Sequence, residues 1–358
     1  MLSRVALHKL VIALLFVLFS VGIFAEIPAG YYNAADKKTG AELKTAIYNI
    51  IKSHTQLEYY HLSIEFQTTD WNPNGYMWDM YSNYQRTSFS GMNREHSMPK
   101  SWFGIASGSE NTAPIGTDLH NLYPADYDAN MAKSNYPIGV VSGTPSFTNG
   151  VVKVGPSTCY SSNNYTGPAF EPADEYKGDF TRDYMYMVTC YEDYANIWQS
   201  TGTQSMIKGG TYPVFRDAAI SLLLKWHRQD PVSTKEINRN DAVYGFQHNR
   251  NPFIDHPELA EFIWGKYLGS PWDMNGSLPE LDTPLKLNSN PVTSKLSVNL
   301  IHPTEATYYI QSISGVVFKT GNFDATGSIT IDELRNGMYM LVVYSGSYRK
   351  VTKFVVQH

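Results

Sequence analysis

The sequence predicts an α+β protein in two parts, a mixed domain of helices and strands over residues 26–275 and a small β-sandwich over 285–358. Three observations carry that reading. Apolar residues recur at helical spacing in residues 39–52, where Leu43, Ala46, Ile47, Ile50 and Ile51 share one side, and helices are also expected over 179–197 and 215–229. Beyond residue 285 the pattern changes to short alternating strands, such as Leu296, Val298 and Leu300, then Tyr308, Ile310 and the run 339–344. Between these regimes, turn residues from Gly276 to Pro284 mark a linker over 276–284.

The segments in between read in order. Residues 71–84 combine aromatics with the turn signal Asn72, Pro73, Asn74, Gly75. A dense polar and aromatic centre occupies 92–135, followed by a Gly, Ser, Pro and Asn-rich stretch of loops and short strands over 135–165. In the second predicted helix pair, the run from Ala218 to Leu224 is apolar enough to be buried. In the C-terminal part, Ser345, Gly346 and Ser347 read as a hairpin turn before a last strand over 350–356.

Composition narrows the class. Hydrophobic residues make up 42% and charged residues 17%, which suits a folded protein. The formal charge of −5, from 28 basic and 33 acidic side chains, argues against a nucleic-acid packager with a basic stripe. It leaves room for an enzyme that recruits a metal ion against phosphate charge. The 26 tyrosines offer faces on which bases can stack, although a Tyr-rich exported protein needs no such use for them. Arg4, His8 and Lys9 precede an apolar run from Leu10 to Ala25, the pattern of a signal peptide over 1–25. No later segment is apolar enough to span a membrane, so no stable membrane insertion of the mature chain is expected. Cys159 and Cys190 lie far from any His in metal-ligand spacing, and no zinc site is expected.

Three clusters can carry chemistry. In the first, Glu95 and His96 pair a carboxylate that suits Mg²⁺ or Ca²⁺ with an imidazole that can act as a base. Neighbours on a regular strand point to opposite faces, so both can serve one site only if the strand twists or ends there. Pro99 is consistent with an ending strand. The second runs from Asp118 to Asn135, where Asp126, Asp128 and Asn130 are all candidates for a second metal ligand. Asp118 and Asn121 are equally suited to tying their loop together by hydrogen bonds. The third contains Trp226, His227, Asp230 and Pro231, with Arg239 and Arg250 as possible phosphate contacts. The plainer reading makes His227 a helix end and residues 249–251 a turn.

Taken in order, these residues resemble a family. Arg94, Glu95, His96 and Pro99, then Asp118 to Leu122 with Pro124 and Ala125, Asn130, Ser134 and Asn135 are similar to the bacterial endonuclease I family. Pro172, Lys177 to Asp179, Arg182, Tyr186, Met187, Trp226, Asp230 to Val232 and Asn249 to Phe253 extend the likeness across roughly residues 31–268. The family belongs to the ββα-metal (His-metal finger) nucleases. The resemblance implies that His96 is the general base, that Glu95 and Asn130 hold one Mg²⁺ (Ca²⁺ or Mn²⁺ as alternatives), and that His120 and Asn121 brace the loop. It also implies a monomeric enzyme acting on DNA and RNA and leaving 5′-phosphate and 3′-hydroxyl ends. Some family members carry a longer insert with an active-site arginine. Here residues 103–117 are short and lack Arg, so Arg182 and Arg250 are the candidates for phosphate contact or structural support. Two rival expectations remain: a ribonuclease with little DNase activity, and an inactive surface protein that binds nucleic acid or glycan.

The C-terminal strands, with Asn290, Pro291 and Asn336 to Tyr339, resemble the sorting domain of the type IX secretion system. This implies a partner in that secretion machinery, passage through the periplasm, and a secreted or cell-surface location.

Overall fold

A computed structural model describes residues 27–106, 108, 109, 111–194, 198, 205–276, 287–298, 306–312, 316–323, 326–345 and 348–358. The expected signal peptide and nearly all of the expected linker lie outside the described residues. The chain divides into two compact units, one through Gly276 and one from Ser277.

In the first unit, helix α1 (Gly40–Ile51) buries Leu43, Ile47 and Ile51, the four-residue spacing that lays one stripe against the core. Helix α2 (Leu62–Thr69) buries Leu62 and Phe66 in the same way. Strand β1 (Met92–His96) pairs antiparallel with β2 (Leu122–Asp126), with Glu95 opposite Tyr123 and His96 opposite Leu122. Helix α3 (Tyr127–Lys133) follows β2 without a loop, because Asp126 accepts the Ala129 N–H and so caps the helix directly at the strand's end. Strands β3 (Phe147–Thr148), β4 (Lys153–Pro156) and β5 (Pro168–Glu171) make a small antiparallel sheet in the stretch expected to hold loops and short strands.

Helix α4 (Lys177–Cys190) is buried on every side, so its polar side chains need protein partners. It starts two residues earlier than expected and stops at Cys190. Strands β6 (Ile207–Gly209) and β7 (Val214–Phe215) pair before α5 (Asp217–Gln229), which packs on α4. Helix α6 (Thr234–Gln247) opens with a capping box in which Ser233 and Glu236 satisfy each other's backbone N–H groups. Leu62, Phe66, Met92, Leu119, Leu122 and Val243 form one apolar cluster, so α2 and α6 support the β1–β2 pair from below.

In the second unit, β9 (Thr307–Gln311), β10 (Val317–Asn322), β12 (Gly337–Ser345) and β13 (Tyr348–Val356) form an antiparallel sheet in the order β10-β9-β12-β13. Strands β8 (Lys295–Ser297) and β11 (Ser328–Thr330) form a second pair, and both sheets feed one apolar core around Leu296, Ile310, Ile329, Leu341 and Phe354.

Candidate active site

Glu95 and His96 close strand β1, and both line a cleft of about 430 Å³ together with Tyr59, Arg94, Pro99, Lys100 and Asn130. Past His96, Asn121 holds the chain through its backbone at Ser97 and its side chain at Met98. Its carbonyl accepts the Ser97 N–H at 2.8 Å, its side-chain oxygen accepts the Met98 N–H at 2.7 Å, and its amide donates to the Met98 carbonyl at 3.1 Å. Glu95 and His96 line one cavity although they are neighbours at the end of the strand.

Three contacts are among those that orient His96. Its Nε2 lies 2.9 Å from the Gly116 carbonyl. A carbonyl only accepts, so Nε2 carries the hydrogen, and in the neutral ring Nδ1 carries the lone pair. The ring lies nearly parallel to Tyr59 (centroids 6.3 Å apart, 11° between planes) and meets Phe103 edge-on at 5.7 Å. Glu95 is buried, and its Oε1 accepts from the Lys133 ammonium at 2.6 Å. Burial pushes this carboxyl above its usual range, opposed by Lys133 and by the His96 backbone N–H.

Among the three candidate second ligands, the fold separates one. Asp126 caps α3 and accepts from Arg86 at 2.6 Å, and Asp128 is exposed; neither lines the cleft. Asn130 sits one turn into α3 and does line it. Glu95 and Asn130 together offer oxygen donors only, a set that fits a hard divalent cation such as Mg²⁺ or Ca²⁺.

His120 lies elsewhere, fully buried with Nε2 3.3 Å from the Asn249 carbonyl, its ring tilted over Tyr186. Burial lowers its pKa to about 4, with Asp118 opposing. It shares a buried hub with Asp118, whose carboxylate accepts from Tyr186, Tyr191, Gln247 and the His120 N–H. The hub also brings His54, Asp118 and Cys190 ligand atoms within 4.8 Å of one another, a grouping invisible in sequence spacing. The four protein donors on Asp118 mark it as a hydrogen-bonded anchor.

The arginines singled out in the sequence lie away from the cleft. Arg182 is fully buried and gives both arms to Glu236, at 2.5 and 2.8 Å, with a third bond to the Asp230 carbonyl at 2.9 Å. Arg250, also buried, is held by Asp255 and Asp241 at 2.7 Å, and Arg239 by Asp70 and the Leu122 carbonyl. None of the three lines the cleft; Arg182 and Arg239 pair with buried carboxylates far away in sequence, and Arg250 with Asp241 and Asp255 close by. The cations at the cleft are Arg94 and Lys100. Arg94 packs its guanidinium against Tyr59, Tyr60 and Phe89 within 5.6 Å and donates to the Tyr60 carbonyl at 3.3 Å. Sequence reasoning also passed over Tyr59 and Lys133. Lys133 stands three residues after Asn130, a helical spacing that would have placed both on one side of α3.

A cleft that joins a carboxylate, an imidazole and an amide behind two cations suits hydrolysis of a phosphodiester, and the comparisons with known proteins place the chain among nucleases. Residues 39–258 match the Endonuclease I family model, and the chain belongs to that family. Residues 289–357 match a secretion system C-terminal sorting domain, which indicates type IX secretion to the exterior or the cell surface. An extracellular ribonuclease of Bacillus amyloliquefaciens is 37% identical over 246 residues, covering 65% of this chain and 78% of the relative. The extracellular ribonuclease of Bacillus subtilis is 36% identical over 249 residues with the same coverage. Endonuclease-1 of Buchnera aphidicola subsp. Baizongia pistaciae is 24% identical over 172 residues, covering 45% of this chain and 60% of the relative. No helix among the described residues is long and apolar enough to cross a membrane.

Proposed function

We propose that this secreted nuclease is a divalent-metal-dependent endonuclease that hydrolyses both DNA and RNA, with His96 as general base and Glu95 and Asn130 as metal ligands on a ββα-metal motif formed by β1, β2 and α3. The observation that carries the reading is that these three residues line one cleft. Mg²⁺ held there would supply positive charge beside the phosphoryl oxygens and the leaving 3′ oxygen.

The chain's own residues do the rest. His96, held through Nε2 to Gly116 at the cleft, would take the proton from the attacking water. Arg94 and Lys100 line the cleft as cationic partners for the nucleic-acid backbone. Tyr59 and Phe103 keep the imidazole from rotating away. Attack by water leaves a 5′-phosphate and a 3′-hydroxyl, and because no 2′-hydroxyl takes part, the sugar does not decide the substrate. The C-terminal unit, read as a β-sandwich, would serve export and not cleavage. A second reading, a ribonuclease with little action on DNA, is favoured by the names of the two Bacillus relatives.

Digesting plasmid and RNA in parallel with wild type and His96→Ala, with Mg²⁺ and with EDTA, tests the proposal. Metal-dependent cleavage of both substrates is expected, falling by roughly 10²–10⁴-fold in the variant. Undiminished cleavage by folded His96→Ala sinks the assignment of the base, and cleavage of RNA alone selects the second reading.

A further inference from the structure

We infer that Lys133 is a positioning residue for the metal centre, acting through Glu95 from behind the cleft; this rests on the proposed metal-dependent reading. The side chain of Lys133 is fully buried and absent from the cleft lining, so it holds Glu95 from behind the surface that substrate would meet. It makes two directed bonds, to Glu95 Oε1 at 2.6 Å and to the His96 carbonyl at 3.1 Å, while passing 5.8 Å from the centre of the Phe170 ring.

Burying an ammonium is costly unless it is paired and hydrogen-bonded. Here both bonds go to the two residues assigned to the chemistry. Lys133 also closes α3, the helix that carries Asn130. A single side chain thus ties the end of β1 to the helix bearing the other ligand, fixing the Glu95 rotamer and the distance from Glu95 to Asn130 together. Partners behind a metal ligand that set its orientation are worth about 10- to 100-fold in metal affinity.

The sign of the effect separates positioning from simple charge. An ammonium close to a bound cation repels it. If Lys133 served only as a counter-charge for Glu95, its removal would tighten metal binding. If it positions Glu95, removal weakens binding despite the relief of repulsion.

The test titrates Mn²⁺ into the full chain, followed by calorimetry or by the electron paramagnetic resonance of free Mn²⁺, for wild type, Lys133→Met, Lys133→Gln and Lys133→Arg. Nucleic-acid cleavage is measured alongside. Lys133→Met is expected to weaken Mn²⁺ binding about 10- to 100-fold and to raise the metal concentration for half-maximal cleavage in parallel. Lys133→Arg, which keeps the charge and the donors, is expected to recover most of the loss. If Lys133→Met does not fold, Lys133→Gln is read in its place with the same expectation. Unchanged or tighter Mn²⁺ binding in a folded neutral variant overturns the inference while leaving the nuclease reading standing. A wild type that takes up no Mn²⁺ overturns both.

Discussion

Replacing Arg182 with leucine separates a structural arginine from a substrate-binding one. Its guanidinium is fully buried between α4 and α6, bonded twice to Glu236 and once to the Asp230 carbonyl. Leucine leaves Glu236, itself 3% exposed, with only the Ser233 N–H and hydroxyl as donors. Breaking one half of a buried ion pair costs about 3–5 kcal/mol, since the remaining charge stays desolvated. At about 2–4 °C per kcal/mol for a domain of this size, the first unit should melt roughly 10 °C lower. Calorimetric melting of the full chain, with nucleic-acid cleavage measured at 20 °C where the variant is still folded, reads both quantities. The expected result is a lowered melting temperature and cleavage within a few-fold of wild type. An unshifted melt with cleavage reduced a hundredfold or more would refute the reasoning and make Arg182 a phosphate contact.

Three further outcomes follow from particular contacts. The folded pKa of His120, about 4, lies below its unfolded value of 6.5, so as pH falls the unfolded chain takes up the proton first. Its contribution to stability is complete above pH 6.5 and is lost between 6.5 and about 4, amounting to about 3 kcal/mol at about 1.4 kcal/mol per pKa unit. Denaturant titrations across this range should therefore show a shallower loss in His120→Gln, and parallel curves for the two proteins would contradict it. A Cβ on Gly178 would run into the Asp230 carbonyl oxygen and the Arg182 guanidinium, so Gly178→Ala should destabilise the first unit by roughly 1–3 kcal/mol, checked by urea midpoint. Cys159 and Cys190 are both free, and burial raises the Cys190 thiol well above its ordinary range. A thiol reagent should modify half-buried Cys159 in the native protein and Cys190 only after unfolding; a disulfide found between them by mass would sink this.

The elements most legible in the sequence were those whose pattern is local. Leu43, Ile47 and Ile51 announced α1 by their spacing, and the apolar run 218–224 announced α5. Helix α6 was missed because its residues are largely polar, although Ser233 and Glu236 spell a capping box three residues apart. Helix α2 was missed because eight residues hold too few turns to establish a period. The extent of α4 was misjudged at both ends, since a helix buried all round has no polar face to mark it.

For the site, sequence by itself determined the residue types and their order: a carboxylate beside an imidazole, an amide on a following helix, and a likeness to a nuclease family that the family match bears out. It also determined the exported character, through strands that match a sorting domain. Local spacing left Asp126, Asp128 and Asn130 open and the family likeness pointed to Asn130; in the fold Asn130 lines the cleft, while Asp126 is withdrawn into capping a helix, a role that residue type does not reveal. The arginines followed the same logic. Residue type left Arg182, Arg239 and Arg250 open as phosphate contacts or structural supports; the carboxylate partners of Arg182 and Arg239 are brought to them by long-range packing, and those of Arg250 lie within nine residues of it. Lys133 beneath Glu95 is the same physics turned toward function: its spacing from Asn130 gives its side of α3, but its burial and its pairing with Glu95 are properties of the tertiary structure.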